Sequence, residues 1–394
     1  MRSLPRLTIP VAAALLCATA ALAQDAGDDE TVDAMSGIDW SVGLRGSYAA
    51  NSLTGGKPSL SLTPEASLTL GGESSVTTFG AGGELTVDGA GQARIANLHA
   101  GVASGLRLGA TTTLGGALNG SLTRAHPDDS GLPANTLIAP LVFDGTAQGS
   151  ITQDVGRVDA TLTLDGERQV TGPTTLDDLS TVDNADRSYW QGGATLRLGY
   201  EFTPLLSAFV EGEASTQKFD APDPTVLKYL DGRTYQLRAG LSFVQGSLVS
   251  AEASVGRGWL DYTDATIADT QDWVYNGSVT VQPDEAVRLT GALETTLGPS
   301  DAVPGDTDLG YLLSGTARYT LNPWVTLRAT GSWDRTITLG TGDSSWGVDA
   351  GVGLDYRSSR HIVWSADYLF SRDDAPPTPL NDTHTVTVGV RVNR

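Results

Sequence analysis

The chain has 394 residues, of which 46 are acidic and 25 are lysine or arginine, so its formal net charge at pH 7 is −21. A chain this acidic has no electrostatic attraction to nucleic acid or to an anionic membrane surface, so we expect neither kind of binding. Its 47 glycines disfavour a helical protein. Cys17 is the only cysteine, which excludes a disulfide framework and a thiolate metal site. We expect no metal and no cofactor.

Residues 1–23 predict a cleaved secretory signal peptide. Arg2 and Arg6 supply its positive region, 11–18 its apolar core and 21–23 its small-residue cleavage site. Residues 24–37 are acidic and nearly free of apolar side chains, which predicts a flexible periplasmic leader. No later apolar run approaches the roughly 20 residues that a membrane helix needs. If the remaining segment, 38–394, spans a membrane, it does so as strands in a closed barrel.

The first part of the predicted barrel is rich in glycine, alanine, serine and threonine, which dilute its pattern. Turn-forming breaks at 51–58, 71–73, 88–91 and 103–105 predict five strands within 38–123. Strands follow at 145–154 and 157–168. Two long segments, 124–144 before these strands and 169–186 after them, are interpreted as outer loops. The sequence leaves open whether 124–144 folds into the barrel.

From residue 187 to the end, apolar and polar residues alternate in hairpin after hairpin, which predicts eleven more strands. Short turns are predicted at 203–204, 245–246, 283–285, 322–323 and 357–360. Longer acidic loops are predicted near 218–232, 262–270, 298–309, 338–344 and 372–381. Short turns at one end and long loops at the other are typical of outer-membrane barrels, whose short turns face the periplasm. The sequence therefore predicts an all-β protein, a transmembrane antiparallel up-and-down β-barrel of about 18 strands, with 16 as the alternative.

The two faces of these strands differ in polarity. Outward candidates are apolar, and include Leu237, Leu241, Leu327, Val386 and Val388. Charged residues alternate with them, and an arginine facing lipid at the bilayer midplane would cost about 2–4 kcal/mol, so we expect a wet interior. These charges could form an ion-selecting constriction or merely pair across strands, and the sequence favours neither. The predicted pore-lining residues are Arg197, Arg238, Arg288, Arg318, Arg328, Arg391, Glu211, Glu213, Glu252, Glu294, Asp349, Asp355 and Asp367.

Aromatic residues cluster beside the short turns. Rings of tyrosine and tryptophan favour the membrane–water interface, so this placement predicts an aromatic girdle. Its predicted members are Tyr200, Phe202, Phe243, Tyr319, Trp324, Tyr356 and Trp364.

Four segments of the second half of the chain share a loose pattern of glycine and aromatic residues: 196–204 (LRLGYEFTP), 255–262 (VGRGWLDY), 319–324 (YTLNPW) and the end of the chain from 368. On these segments the second half, roughly 187–394, resembles the putative beta-barrel porin 2 family of bacterial outer-membrane proteins. The resemblance implies an outer-membrane barrel, associated in some members with exopolysaccharide export. The chain departs from many outer-membrane proteins by ending in Asn393 and Arg394 instead of an aromatic residue.

Catalytic signals are weak. Of the four histidines, only His384 has suitable neighbours, in Asp382, Thr383 and Thr385, and no obvious nucleophile accompanies them. We therefore expect no enzymatic activity.

The combined features predict a porin-like channel in the outer membrane of a Gram-negative bacterium, through which small hydrophilic solutes diffuse with a weak cation preference. An accessory barrel for exopolysaccharide export and a plugged structural or adhesive barrel are the alternatives, and a soluble secreted β-protein is a more distant one. Expected partners are outer-membrane lipid and lipopolysaccharide, the barrel assembly machinery, and the solutes or polysaccharide. The sequence marks no oligomer interface.

Overall fold

The computed structural model describes residues 37–52, 55–89, 91–124, 127, 132–133, 135–300, 303–375 and 380–394. The predicted signal peptide and residues 24–36 of the predicted leader lie outside the described residues. The strands begin at Gly37, one residue before the predicted start of the barrel.

Within the described residues, eighteen long strands form one closed antiparallel sheet. Each strand pairs with its neighbours in chain order, and the ring closes where the first strand, Gly37–Asn51, pairs with the last, Asn381–Asn393, from Ser41 opposite Asn393 to Asn51 opposite Thr383. The prediction of eighteen strands in an up-and-down barrel is confirmed. The strands are β1 (Gly37–Asn51), β2 (Gly55–Gly71), β3 (Ser75–Asp88), β4 (Ala93–Leu108), β5 (Thr112–Arg124), β7 (Leu141–Val155), β8 (Val158–Thr171), β11 (Tyr189–Thr203), β12 (Leu206–Phe219), β13 (Gly232–Gln245), β14 (Val249–Tyr262), β15 (Thr270–Val281), β16 (Val287–Pro299), β17 (Thr307–Asn322), β18 (Val325–Thr338), β19 (Ser344–Arg357), β20 (Ile362–Asp374) and β21 (Asn381–Asn393).

Short turns and long loops lie at opposite ends of the barrel, as predicted. At the end that carries both chain termini of the barrel, the connections include 156–157, 204–205 and 323–324. We call this the short-turn end and the other the loop end. Because the strand number is even, β1 starts and β21 finishes at the short-turn end.

One turn in the first half was wrongly placed by the sequence. The predicted break at 103–105 lies inside β4, where Gly105 pairs with Gly115 of β5. The chain turns instead at 109–111, where Gly109 adopts φ +73°, a conformation that glycine adopts without steric cost. Serine and glycine inside the strand were misread as turn residues.

The two long loops of the first half contain short strands. β6 (Thr136–Ile138) and β10 (Thr181–Val182) flank β9 (Thr174–Leu176) in a small three-stranded sheet at the loop end. A single turn of 3₁₀ helix, Ala185–Arg187, follows. Of the predicted 124–144 loop, β6 therefore pairs with the neighbouring loop, whereas residues 141–144 belong to β7 of the barrel.

The outward face of the barrel is apolar and exposed. Leu237 and Leu241 are each 55% exposed, and Val388 is 57% exposed. An apolar surface of this extent around a whole sheet suits a hydrocarbon solvent, as in outer-membrane barrels. In the described part of the chain no helix is long and apolar enough to cross a membrane.

Candidate channel interior

Ion pairs that reach over an intervening strand identify the concave, inner face of the sheet. Arg328 on β18 contacts Asp367 on β20 at 2.8 Å, passing over Gly353 of β19, where a side chain would collide with Asp367. Side chains converge on a concave face and diverge on a convex one, so these residues lie on the inside of the barrel. Gly353 is the cross-strand partner of both Arg328 and Asp367.

The strand register carries this assignment around the ring. From Arg197 the register leads through Glu211 and Arg238 to Gly256, all on one face. Side chains alternate along each strand, so every second residue shares that face. All thirteen residues predicted to line a pore lie on the inner face. That they line a conducting pore stays a prediction.

Two arginines on the inner face are held in one network of carboxylates. Arg197 makes a bidentate contact with Glu252, at 2.9 and 2.7 Å. Arg238 contacts Glu211 and, at 3.5 Å, Glu213. Arg197 also lies 3.7 Å from Glu211, which links the two arginines. Their positive charges are therefore largely neutralised.

The aromatic ring of Phe209 packs against the Arg197 guanidinium group of this network. The guanidinium carbon of Arg197 lies 3.5 Å from the ring centre of Phe209, which is only 5% exposed. A cation stacked on an aromatic face is stabilised by the ring quadrupole. The inner-face ring of Phe209 is thus covered and not free to contact a solute.

A second network lies nearer the short-turn end. Arg328 contacts Asp355 and Asp367, each at 2.8 Å. Within the described residues, Arg288, Arg318 and Arg391 make no ion pair and no hydrogen bond through their side chains. Among the predicted acids, Glu294 and Asp349 have no ion pair in the described chain, although Ser332 donates a hydrogen bond to Asp349 at 3.1 Å.

Several inner-face carboxylates were missed by the sequence reading because the first half of the barrel alternates weakly. Asp144 on β7 lies diagonally across from Glu167 on β8, and Asp165 is the next inner-face residue along β8. Tyr189 donates a hydrogen bond to Glu167 at 2.6 Å. None of the three acids has an ion pair within the described residues, so the inner face carries more uncompensated acids than the prediction included.

The barrel sheet divides between β15 and β16 in the half nearer the loop end. These strands pair only from Gly277 opposite Leu293 to Val281 opposite Leu289. Beyond this point β15 stays paired with β14 and β16 stays paired with β17. The outer parts of β15 and β16 therefore separate while each keeps its other neighbour.

We call the point where β15 and β16 separate the fork. Here hydrogen bonds of Thr295 replace the missing backbone pairing. Its hydroxyl accepts a hydrogen bond from the Tyr275 N–H at 3.0 Å and donates one to the Tyr275 carbonyl at 2.8 Å. Its own N–H donates to the Asn276 side chain at 3.2 Å. Thr295 is 3% exposed, so these bonds satisfy polar groups that would otherwise be buried without partners.

Beyond the fork, the end of the β16–β17 hairpin folds into the barrel. By alternation Leu297 belongs with Leu289 on the outward face, yet it is only 7% exposed. A Cβ atom built on Gly258, on the inner face of β14, would lie 3.3 Å from Leu297. Val274, on the inner face of β15, is fully buried. The hairpin therefore covers the inner face of β14 and β15.

Apolar side chains fill the space between the two layers. We call this group the hairpin core: Leu230, Leu260, Tyr262, Ile267, Leu297 and Leu309. The Tyr262 hydroxyl also donates to the Asp306 carbonyl in the hairpin loop at 2.6 Å. Leu230 and Ile267 come from neighbouring loops, so the hairpin is fixed to three separate parts of the loop end.

The folded hairpin narrows the interior and gathers carboxylates. Glu294 on β16 lies within charge–charge range of Glu213 on β12, although β13, β14 and β15 separate these strands in the sheet. Asp165 on β8 lies in range of Glu213 as well. Three acids from three separate strands therefore lie near one another on the inner face, beside the folded hairpin, and we call this group the acidic narrowing.

The histidines show no catalytic arrangement in the described residues. Asp382 binds Arg372 at 2.7 Å, and His384 contacts the Tyr368 hydroxyl at 2.8 Å instead. His99 lies on the face of the sheet opposite to that of His384, and its Nε2 atom is 3.2 Å from the Glu65 carboxylate. In the same part of the chain, no group of three or more histidine, cysteine or acidic side chains is placed to hold a metal ion.

The predicted girdle residues lie on the outward face or in a turn, all near the short-turn end. Tyr200 and Phe202 touch edge to face, with ring centres 5.2 Å apart. Tyr356 and Trp364 are cross-strand partners, 47% and 50% exposed. Their position at a membrane interface stays a prediction.

Comparison with known proteins settles the family. A family model described as "Putative beta-barrel porin 2" matches residues 56–394. The chain belongs to this family. The match extends well into the first half, where the sequence resemblance was weaker, and it makes the chain an outer-membrane β-barrel of the porin type. No curated protein matches the chain.

The chain is also similar to solved structures of outer-membrane barrels, although its sequence identity to them is low. OccK2 (OpdF) of Pseudomonas aeruginosa is 11% identical with a TM-score of 0.46, covering 90% of this chain and 98% of that chain. OpdL of the same organism is 15% identical with a TM-score of 0.45, and the match covers 91% of this chain and 98% of that chain. A mutant of its ferric enterobactin receptor PfeA is 11% identical with a TM-score of 0.48, covering 92% and 81%.

Proposed function

We propose that this outer-membrane barrel is a water-filled channel through which small hydrophilic solutes diffuse passively, with a weak preference for cations. The acidic narrowing is the observation that supports the proposal most strongly. Closed barrels of 16–18 strands are wide enough to leave an aqueous lumen. The proposed mature chain starts after the cleaved signal peptide 1–23 and performs no catalysis.

The distribution of ion pairs supports the cation preference. Arg197 and Arg238 lie in the middle of the wall, but Glu211, Glu213 and Glu252 bind them. Of the narrowing itself, Glu294 and Asp165 have no ion pair within the described residues, and neither have Asp144 and Glu167. Uncompensated carboxylates therefore outnumber uncompensated arginines in this part of the interior. Rings of acidic side chains attract cations and repel anions in channels.

Polysaccharide export, the alternative from the sequence, would need exposed aromatic rings along the interior on which sugars could stack. Phe209 is covered by Arg197, and Tyr262 is buried in the hairpin core. Tyr189 and Phe219 contact each other, with ring centres 5.7 Å apart. The described inner face offers no continuous aromatic track, so passive diffusion of small solutes is the better-supported proposal.

Ion selectivity tests the proposal. In a planar bilayer under a KCl gradient, we expect a reversal potential that indicates preference for K⁺. A unit charge about 8 Å from the ion path contributes about 0.5 kcal/mol in water. Screening at about 0.15 M salt, where the Debye length is about 8 Å, reduces this contribution to about 0.2 kcal/mol. The E213Q/E294Q variant should therefore lower the K⁺ to Cl⁻ permeability ratio about fourfold, because two neutralised acids each act on both ions and together change the free-energy difference by about 0.8 kcal/mol.

The matched control is E285Q, which removes an exposed acid in the turn between β15 and β16, away from the narrowing. It should leave the reversal potential unchanged. Clear anion selectivity in the natural protein would contradict the proposed cation preference. Equal shifts in E285Q and E213Q/E294Q would show that net charge, not the narrowing, sets selectivity.

A further inference from the structure

Three arginines lie side by side on the inner face near the short-turn end. Arg288 on β16 is opposite Arg318 on β17, and Arg318 is opposite Arg328 on β18. Directly opposed residues place their Cβ atoms about 5 Å apart, and like charges in this arrangement destabilise a sheet. The row therefore needs negative charge from outside these three strands.

The protein supplies that charge to only one end of the row. Arg328 binds Asp355 and Asp367. Arg288 and Arg318 are exposed, and neither has a hydrogen-bond or ion-pair partner within the described residues. This differs from Arg197 and Arg238, each of which binds its own carboxylates. Two adjacent guanidinium groups are thus left open to the lumen.

Hydroxyl groups lie directly above the two open arginines. Thr290 is opposite Thr316 in the next inner-face row, and their hydroxyl oxygens are 2.6 Å apart. The nearest acid further along β16 on this face is Glu294, six residues and about 20 Å from Arg288 along the strand. Guanidinium N–H groups beside hydroxyls, with no acid near on this strand, form a set of donors suited to a carboxylate or phosphate group.

We propose that Arg288 and Arg318 form a binding site for the oxyanion group of a small solute, a carboxylate or a phosphate, inside the lumen. The inference rests on the proposed channel function, because solute reaches these side chains through the water-filled interior. The site lies on the short-turn side of the acidic narrowing. Small cations are favoured at the narrowing, whereas an oxyanion entering from the short-turn end meets the arginine row first.

Inorganic phosphate is the probe for this site. Single-channel K⁺ current is measured in chloride and again as phosphate replaces chloride at constant ionic strength. We expect brief, concentration-dependent blocks in the natural protein. The R288Q/R318Q variant should require at least tenfold more phosphate for the same block, because both positive charges and both guanidinium forks are lost while a polar side chain remains at each position.

R391Q is the matched control, because Arg391 also lies on the inner face with no side-chain partner among the described residues, but has Gly43 and Val363 as its cross-strand neighbours. It should be blocked like the natural protein. An open natural channel without phosphate block would overturn the site, as would equal block in R288Q/R318Q. R288K/R318K, which keeps the charges but loses the planar forks, should be blocked with intermediate affinity and serves if the glutamine variant fails to fold.

Calorimetric titration of phosphate into the detergent-refolded barrel separates this site from the channel proposal. Binding to a barrel that does not conduct would sink the proposed function and leave the site standing. Conduction without phosphate binding would overturn the oxyanion site and leave the proposed channel function standing.

Discussion

Arg238 is the inner-face arginine most deeply embedded in carboxylates. Its side chain is 12% exposed, and that of Glu211 is 14% exposed. Removing one member of such a pair leaves the other charged, poorly hydrated and uncompensated, which costs more than the pair contributes when intact. Charge balance at this position therefore stabilises the wall of the barrel itself.

R238M should lower the free energy of unfolding by about 1–3 kcal/mol, because Glu213 loses its arginine partner and Glu211 keeps only Arg197, at 3.7 Å. Urea titration of the barrel folded in lipid vesicles measures this. R391M is the control, since Arg391 has no side-chain partner in the described chain. Neutralising the stranded acid in R238M/E211Q should recover part of the loss, and a stability of R238M equal to that of R391M would contradict the assignment.

An ion pair outside the barrel connects β8 to the loop after β12. Arg168 contacts Asp220 through two hydrogen bonds and lies over the Trp190 ring, 5.0 Å from its centre. The hydrogen bonds from Arg168 hold the pKa of Asp220 below its usual range. A carboxyl with a depressed pKa stabilises the fold above its ordinary pKa and loses that contribution as pH falls through the depressed value.

Among the elements, the β16–β17 hairpin departs most from a plain barrel strand pair. Its position depends on two kinds of contact: the Thr295 hydrogen bonds at the fork and the hairpin core beyond it. Neither contact is available to a hairpin that stays in the sheet. Both can be removed without touching the charged residues of the narrowing.

T295V keeps the shape of Thr295 but loses its hydroxyl, so the Tyr275 N–H and carbonyl lose their side-chain partner. An unsatisfied buried polar group costs about 1–3 kcal/mol, and we expect this loss to loosen the fork. Hydrogen exchange at the Tyr275 amide should rise strongly relative to amides on β12. T296V, at the exposed neighbouring position, is the control, and unchanged exchange in T295V would contradict the fork assignment.

L297S/L309S removes two leucines from the hairpin core. Truncating a buried leucine typically costs about 2–5 kcal/mol, so the hairpin should detach from β14. We expect larger single-channel conductance with added open-state noise, because the narrowing widens and fluctuates. L313S, on the outward face of β17, should conduct normally. Conductance equal to that of the natural protein in L297S/L309S would show that the hairpin does not limit passage.

Much of this architecture could be predicted from the sequence, and the hairpin shows where prediction failed. Period-two alternation places Arg197, Arg288 and Asp367 on one face, because a strand has only two faces. The same alternation places Leu297 outward, and nothing local distinguishes a leucine that meets lipid from one that meets Leu260 after the strand bends. That contact joins β14 to β16 across a gap in pairing, so it depends on the closed barrel.

Across the whole molecule, the positive and negative charges of the inner face are separated along the barrel axis. Most of the carboxylates without arginine partners, among them Glu294 and Asp165 of the narrowing, lie at the narrowing or towards the loop end, while Arg288, Arg318 and Arg391 lie towards the short-turn end. The strongly acidic composition foreshadowed the first feature but not the second, because a net charge of −21 carries no information about position. The register of eighteen strands supplies that information.

Single-channel conductance of the refolded mature chain in a planar bilayer tests the water-filled channel most directly. We expect discrete open steps whose conductance rises in proportion to KCl concentration, because ions would cross through water between charged walls. A barrel that folds, as judged by circular dichroism, yet produces no steps at any salt concentration would contradict the channel and indicate that the hairpin closes the interior.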